Sequence, residues 1–517
     1  MQTNEWQVRR EVVYVPMQIP EAEQEQSVEL DYVLPDYYPD FFRLLHTDAE
    51  TLITGQELAD GVLQYTLRVT VHVLYCGEQS DTVQAVTQQL TYTKQYSLPP
   101  ETAGTAQPVF RVTAEPSYMN CRAVSHRRID LRGAVRIRIQ SAGEQQREVL
   151  SGAEGLHVQC RSEQVRYVSQ VIRTQKRFVL SEDIGLAAAQ PALLSVLREQ
   201  TALTVSETRI VAGKLVVKGE ASVTLLYAAE SGIETLTAAF PFSQIVEQEG
   251  LSEDMPCAVT ASLTELLLTP ESENDGNIRL LHCDMQITLH CEAVCTAEAA
   301  LLTDIYSTVH PLTAEAEDIP LLTEPAAIAE TMQMKPVLSK PEAVLTRVYA
   351  AWARPACVRA AADADGTGGT VLTGTLRCCV LAADEGDHPM MLEQEEPFSW
   401  PLPQVPAGQL LPQVRVSSCG YTLTGSDSVT LQAELSLSGT ILRQSPRRLL
   451  TDVTVDSASR LPANEDYALR LYFGQPEESL WEIAKRYHTA PEAVREENAL
   501  AEDTLKTAQM LLIPNVK

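Results

Sequence analysis

The sequence predicts a mainly β protein: three tandem β-rich repeat domains, each sandwich- or barrel-like, and then a small domain ordered strand, helix, helix, strand. Three observations lead there. Within Gly213–Ser243, Leu215, Val217, Ala221, Val223 and Leu225 fall on one side of an extended chain, and Lys214, Lys218, Glu220, Ser222 and Thr224 fall mostly on the other. That is the period-two pattern of a half-buried strand. The stretch also recurs. Pro39/Pro191, Leu45/Leu197, Gly61/Gly213, Leu63/Leu215, Val71/Val223, Leu74/Leu226 and Tyr75/Tyr227 match at one constant separation, and Gly219/Gly374 and Leu226/Leu381 at another. Self-similarity at a fixed separation marks a repeated structural unit. After Pro462 the pattern changes, and Leu480, Ile483, Ala484 and Tyr487 fall at helical spacing.

In order, a first strand is expected over Val8–Ile19, and Pro39 opens a turn and a short helix, since proline suits a first helical turn. Gly61–Tyr75 reads as a long strand run with a break near its middle, and Thr82–Leu98 continues the β pattern. Ile129, Leu131, Gly133, Val135, Ile137 and Ile139 alternate as the closing strand of a first domain, 26–150. The second domain, 166–308, has a helical piece at Ala187–Gln200, a strand pair at Glu207–Ala229 and a strand at Glu234–Glu247 carrying Phe240-Pro241-Phe242-Ser243. Ile278–Cys295 is the counterpart of Ile129–Ile139. Leu312–Ala327, rich in Glu, Thr, Ala and Pro, reads as a linker. The third domain, 330–456, is the most diverged, with an Ala-rich front and a flexible turn at Gly366–Gly369. It keeps Pro397-Phe398-Ser399 and the alternation Val429, Leu431, Ala433, Leu435, Leu437. Tyr92 stands roughly where the second domain has Phe242. The last domain, 467–515, places strands at Leu469–Phe473 and Met510–Ile513, with a second helix at Pro491–Glu497 behind Thr489.

Length and composition agree with this division. At 517 residues the chain exceeds a single core, and 44% hydrophobic with 21% charged residues is ordinary globular material. A formal charge of −29 argues against nucleic acid as a partner, which needs clustered Lys and Arg. The first residues lack the apolar run of a secretory signal, and no run of about 18 apolar residues predicts a transmembrane helix. Eleven cysteines, an odd number and mostly within strand-like runs, read as reduced thiols in a cytosol.

The candidate chemistry is sparse. His282, Cys283, His290, Cys291 and Cys295 invite a zinc reading. On a strand, however, the cysteines and histidines fall on opposite faces, and residues eight apart lie about 26 Å apart. Core cysteines and surface histidines are expected, with no metal and no cofactor. Cys378 and Cys379, adjacent on a strand, point apart and lack the Cys-x-x-Cys spacing of a redox pair. Gly366–Gly369 has no Lys-Ser/Thr after it, so no phosphate-binding loop is expected. No catalytic constellation stands out, and the chain is not expected to be an enzyme. Arg132, Arg136 and Arg138 share the polar face of the Ile129–Ile139 strand. They read either as a solvated face paired with acids or as a basic docking strip, which an exposed edge strand would suit.

Two resemblances add to this reading. Gln475-Pro476, Ser479-Leu480-Trp481-Glu482-Ile483-Ala484-Lys485-Arg486-Tyr487, Asn498, Gln509 and Leu511-Leu512-Ile513-Pro514 resemble a LysM domain. The resemblance implies a βααβ fold and a shallow groove that commonly binds N-acetylglucosamine polymers such as peptidoglycan. Here the groove would comprise Gln475, Pro476, Glu477, Glu478, Ser479, Leu480, Ala501, Glu502, Asp503, Thr507 and Gln509, with Trp481 packing in the core. Glu477-Glu478-Ser479 and Thr507-Ala508-Gln509 stand where the family carries Gly-Asp-Thr and Pro-Gly-Gln. Both glycines, which permit close backbone approach, are replaced. Gly213-Lys214, Gly219-Glu220, Leu226-Tyr227 and Phe240-Pro241-Phe242-Ser243 resemble the SPOCS domain of sporulation proteins from anaerobic endospore formers. The combination is similar to the spore-coat morphogenesis proteins of clostridia, whose LysM region docks on the coat-assembly ATPase. It implies a non-enzymatic scaffold in the mother-cell cytoplasm at the forespore surface, with that ATPase as partner. The alternative is a peptidoglycan-binding protein acting through the LysM groove.

Overall fold

Three units of one topology follow one another in a computed structural model, which describes residues 6–16, 21–77, 80–99, 110–141, 144–272, 276–341, 343–363, 369–406, 413–462 and 469–514. Unit one comprises β1 (Gln7–Pro16), β2 (Ala22–Val33), β3 (Phe41–Ala59), β4 (Val62–Gly77), β5 (Ser80–Ser97), β6 (Phe110–Ser125), β7 (Arg128–Ser141) and β8 (Glu144–Glu154). In unit two the first and last pairs of strands are fused: β9 (Val158–Gly185), β10 (Ser195–Val211), β11 (Lys214–Ala229), β12 (Gly232–Glu247), β13 (Cys257–Ser272) and β14 (Ile278–Ser307). Unit three has β15 (Leu312–Met334), β16 (Val337–Ser339), β17 (Leu345–Ala362), β18 (Gly369–Asp384), β19 (Pro389–Pro406), β20 (Gln413–Leu423) and β21 (Ser428–Val455).

Each unit pairs two antiparallel sheets. One has the order β3-β4-β5, repeated as β10-β11-β12 and β17-β18-β19. The other has the order β2-β7-β6, repeated as β9-β14-β13 and as β15 and β20 flanking β21. The core lies between the inner faces. In unit two, Leu215, Val217, Ala221, Val223, Leu225 and Tyr227 of β11 face Leu281, Cys283, Met285, Ile287, Leu289 and Cys291 of β14, all buried. The alternation read from the sequence is therefore the division between core and surface.

Each unit also has a two-stranded stalk: in unit one the separate ribbon of β1 with β8, and in the others the outer part of the second sheet, 158–171 of β9 with 294–307 of β14 and 312–323 of β15 with 443–455 of β21. The three stalks share one apolar hub. Val13, Val149, Val165, Tyr167, Leu301, Ile319, Leu321 and Leu449 are buried there, and Leu150, Leu302 and Leu450 meet beside them. A second meeting point joins the sandwiches, where Leu45, Leu197 and Trp352 gather with Leu74, Leu226 and Leu381. These are positions that match between the repeats. Charge crosses this contact as well. Arg198 of unit two reaches Asp48 of unit one at 3.1 Å, and Arg354 of unit three reaches Glu50 at 2.6 Å.

Four expectations are corrected. The helices expected from Pro39 and over Ala187–Gln200 are strands, β3 and β10, each preceded by a tight turn. Bulges at Phe41/Arg43, Leu44/His46 and Val196/Arg198 insert extra residues into the pairing. They move the buried positions from period two towards three or four, which imitates a helix. The break expected in Gly61–Tyr75 is absent, because β4 pairs continuously with β5 from Val62 to Cys76. Leu312–Ala327 is no linker but most of β15, paired along β21. Of the turn at Gly366–Gly369, residues 366–368 lie outside the described residues, and Gly369 opens β18.

Candidate functional site

After the third stalk come β22 (Leu469–Gly474), α1 (Leu480–Arg486), α2 (Pro491–Glu497) and β23 (Gln509–Pro514). The two strands pair antiparallel, and the helices cover one face of the ribbon. Leu480, Ile483, Ala484, Val494, Leu505, Leu511 and Ile513 form the core. Each helix has two turns, too short to hold alone, so tertiary packing must supply its stability.

The two groove loops lie side by side. The Glu477 N–H donates to the Leu505 carbonyl at 2.7 Å, the Leu480 N–H to Asp503 at 2.7 Å and the Leu505 N–H to Glu478 at 3.0 Å. Gln475, Pro476, Glu477, Ala501, Glu502, Asp503 and Thr507 are exposed, and Glu478, Ser479 and Gln509 are half-buried. Leu480 points into the core and contributes packing rather than contact surface. Glu477, which stands where the family carries glycine, has a left-handed backbone, with φ +68°. The Glu478 carboxylate accepts from the Gln475 N–H at 2.8 Å and the Tyr472 hydroxyl at 2.7 Å. These bonds, in that order, hold its carboxyl below the usual range. Asp503 pairs with Arg495, and Glu502 with Lys506. The backbone donors at 477, 480 and 505 are thus engaged in joining one loop to the other.

The opposite face of the ribbon is apolar and open. Leu469, Leu471 and Phe473 alternate along β22, and Met510 faces Phe473 from β23; their exposures are 44%, 65%, 58% and 64%. These residues lie outside the groove, and the alternation Leu-Arg-Leu-Tyr-Phe marks them in the sequence.

The helix face meets the hub. Trp481 Nε1 donates to Asp304 of β14 at 2.7 Å, Lys485 Nζ lies 2.7 Å from the same carboxylate, and the Tyr306 hydroxyl donates to the Thr489 carbonyl at 2.7 Å. Trp481 packs edge-on to Tyr306, with ring centres 5.0 Å apart, rather than only within its own domain.

The remaining candidates fall into the body of the units. β7, carrying Arg132, Arg136 and Arg138, lies between β2 and β6 and offers no free edge. Arg132 is near Asp130 (3.4 Å) and Arg136 near Glu115 (3.9 Å), while Arg138 is bound to Glu21 (2.7 Å) and to the Val358 carbonyl of unit three. Cys283 and Cys291 are core residues of unit two. His282 lies outside between Asp183 and Asp284, and His290 is 3.1 Å from Ser262 Oγ. Burial pushes the Cys283 thiol up to about 11 and Cys378 to about 12, leaving both protonated at neutral pH. Among the described residues no group of three His, Cys, Asp or Glu is placed to hold a metal ion. No described helix is long and apolar enough to cross a membrane.

Comparison with known families agrees with this anatomy. The family model described as SipL, SPOCS domain matches residues 193–269, from just before β10 into β13. The LysM domain model matches residues 475–514. No curated protein and no solved structure matches the chain. The chain therefore carries a SPOCS domain, in the second of three units of like topology, together with a LysM domain on the C-terminal side of the hub.

Proposed function

We propose that this chain is a non-enzymatic scaffold of spore-envelope assembly, acting in the mother-cell cytoplasm at the forespore surface. Its LysM domain binds a morphogenetic protein partner, and the β units supply further assembly contacts. A SPOCS domain with a LysM domain fits a sporulation-related protein. The observation that carries the choice of partner class is the open apolar ribbon face of Leu469, Leu471, Phe473 and Met510. A contiguous exposed apolar patch marks a protein contact, and a few large side chains dominate such contacts. Several weak contacts on one chain raise effective concentration, which is how a tether without chemistry acts. The partner that the family resemblance implies, the coat-assembly ATPase, is the first to test.

The second reading is peptidoglycan binding through the LysM groove, favoured by the LysM match itself and by the two loops lying together at the surface. Immobilised full-length chain separates the two. Under the scaffold reading, Leu471→Glu with Phe473→Glu lowers binding of the ATPase at least tenfold, and Ser479→Ala with Gln509→Ala leaves it unchanged. Saccharide binding that the second pair abolishes, without any capture of the ATPase, overturns it.

A further inference from the structure

The LysM core is completed by a side chain from outside it. Tyr306 of β14 is 5% exposed and sits among Leu480, Ile483, Ala484, Val494 and Leu511. Tyr306 and Asp304 are two residues apart on a strand and so share a face; Trp481 and Lys485 are four apart on a helix and share one too. The two periods mesh. Asp304 takes both the indole N–H and the ammonium of α1, while the Tyr306 ring lies against Trp481 and its hydroxyl caps the Thr489 carbonyl.

This contact is not a by-product of the repeated hub. The buried triplets Leu150/Leu302/Leu450 and Ala153/Ile305/Val453 align the three stalks. By that alignment stalks one and three carry Glu154 and Thr454 where stalk two has Tyr306, and Gly152 and Asp452 where it has Asp304. Asp452 is itself taken by Arg10 at 2.7 Å. Only stalk two has both parts. A cleft of about 1040 Å³ flanks the contact, lined by Arg161, Glu163, His310, Arg448, Glu482 and Lys485. Solvent therefore reaches the Asp304–Lys485 pair from one side.

We infer that Asp304 and Tyr306 are a latch that fixes the LysM domain to the second stalk, so that its apolar ribbon face is carried in one orientation relative to the three units. The latch is a two-state element. Closed, it supplies part of the LysM core; open, it releases the domain and uncovers the Trp481–Thr489 face. The inference stands whatever partner the ribbon face binds.

Amide exchange and small-angle scattering on the full-length chain test it. Tyr306→Ala is expected to speed exchange across residues 480–489 at least tenfold and to raise the radius of gyration, with β11 as protected as in the parent. Asp304→Lys is expected to act in the same direction, and adding Lys485→Asp to restore protection in part, because the reversed pair attracts again. A generally weakened LysM domain would show no such rescue. Unchanged exchange over 480–489 in both single variants overturns the inference, as does a Lys485→Asp addition that worsens Asp304→Lys. If Tyr306→Ala also exposes hub amides, Tyr306→Phe with Asp304→Asn keeps the packing and decides by the same readout. Faster exchange confined to 480–489 supports the latch, and parent-like exchange overturns it.

Discussion

Unit one and unit two fill the centre of the same strand in opposite ways. In unit two Gly219 of β11 lies opposite Phe242, and the phenyl ring, 5% exposed, lies down over the glycine. Unit three repeats the pair as Gly374 and Phe398. Unit one has Leu67, fully buried, opposite a half-buried Tyr92. One volume is filled either by a ring over a bare backbone or by a branched side chain with a half-buried tyrosine packed beside it. Both members must change together, as close packing requires. The sharpest test is Gly219→Ala, whose new Cβ would overlap the Thr204 carbonyl and the Phe242 ring. About 2–3 kcal/mol of stability should be lost in urea unfolding. At Gly374 the Cβ meets the movable Phe398 ring at 2.6 Å and the Ala356 carbonyl only at 3.2 Å, so the loss should be smaller. Gly219→Leu should be milder when Phe242→Tyr accompanies it. Strict additivity of those two changes would break the comparison.

The units also differ in what they bring to their mutual contact. Unit one offers Asp48 where unit two has Gln200 and unit three Pro355. Burial alone would raise the Asp48 carboxyl, but Arg354, Arg198 and His46 together outweigh it and bring it down to about 2 from 3.8. A depressed folded value means stability that is present above pH 4 and lost as pH falls from 4 towards 2, worth about 2 kcal/mol. Asp48→Asn should therefore lower the unfolding midpoint at pH 5 and change it little at pH 2. An equal effect at both would remove the carboxylate from the account.

A third difference lies at the strand end. The Tyr75 hydroxyl donates to the Pro39 carbonyl at 3.0 Å and its counterpart Tyr227 to Pro191 at 3.4 Å, while unit three has Ala382. Tyr75→Phe should cost about 1 kcal/mol, and Tyr227→Phe about half of that. Denaturant midpoints in the reverse order would show that the longer bond is the stronger holder.

These contrasts also explain which parts of the molecule were legible in the sequence. The inner strands were, because Leu215 to Tyr227 keep strict alternation and a constant separation from Leu63 to Tyr75. The edge strands β3 and β10 were not, because their bulges erase period two at the residues that looked helical. The hub was hidden for another reason. Leu302 and Leu450 are not separated by the interval that relates Leu226 to Leu381, so the repeat loses register inside unit three between Leu381 and the second strand of its stalk, 443–455. The LysM motif was plain. Its ribbon face was written in the alternation of Leu469, Leu471 and Phe473, whereas nothing near Asp304 or Tyr306 announced a contact with residues so far along the chain.

The smallest effect concerns a glycine position without its glycine. Gly219 is needed for space, with its neighbours pressed against the backbone, whereas Glu477 occupies a position whose left-handed backbone angle favours glycine. At φ +68° a side chain costs about 1 kcal/mol. Glycine removes that strain but brings about 0.5–1 kcal/mol of extra freedom to the unfolded chain. The two nearly cancel, so Glu477→Gly should shift protection of the Leu480 amide by less than threefold. Glu477→Val, branched at Cβ, should lower it by tenfold or more. Equal behaviour of Gly and Val would mean that the left-handed turn is not what holds this loop. A large loss with Gly alone would assign the Glu477 carboxylate a contact of its own in the groove.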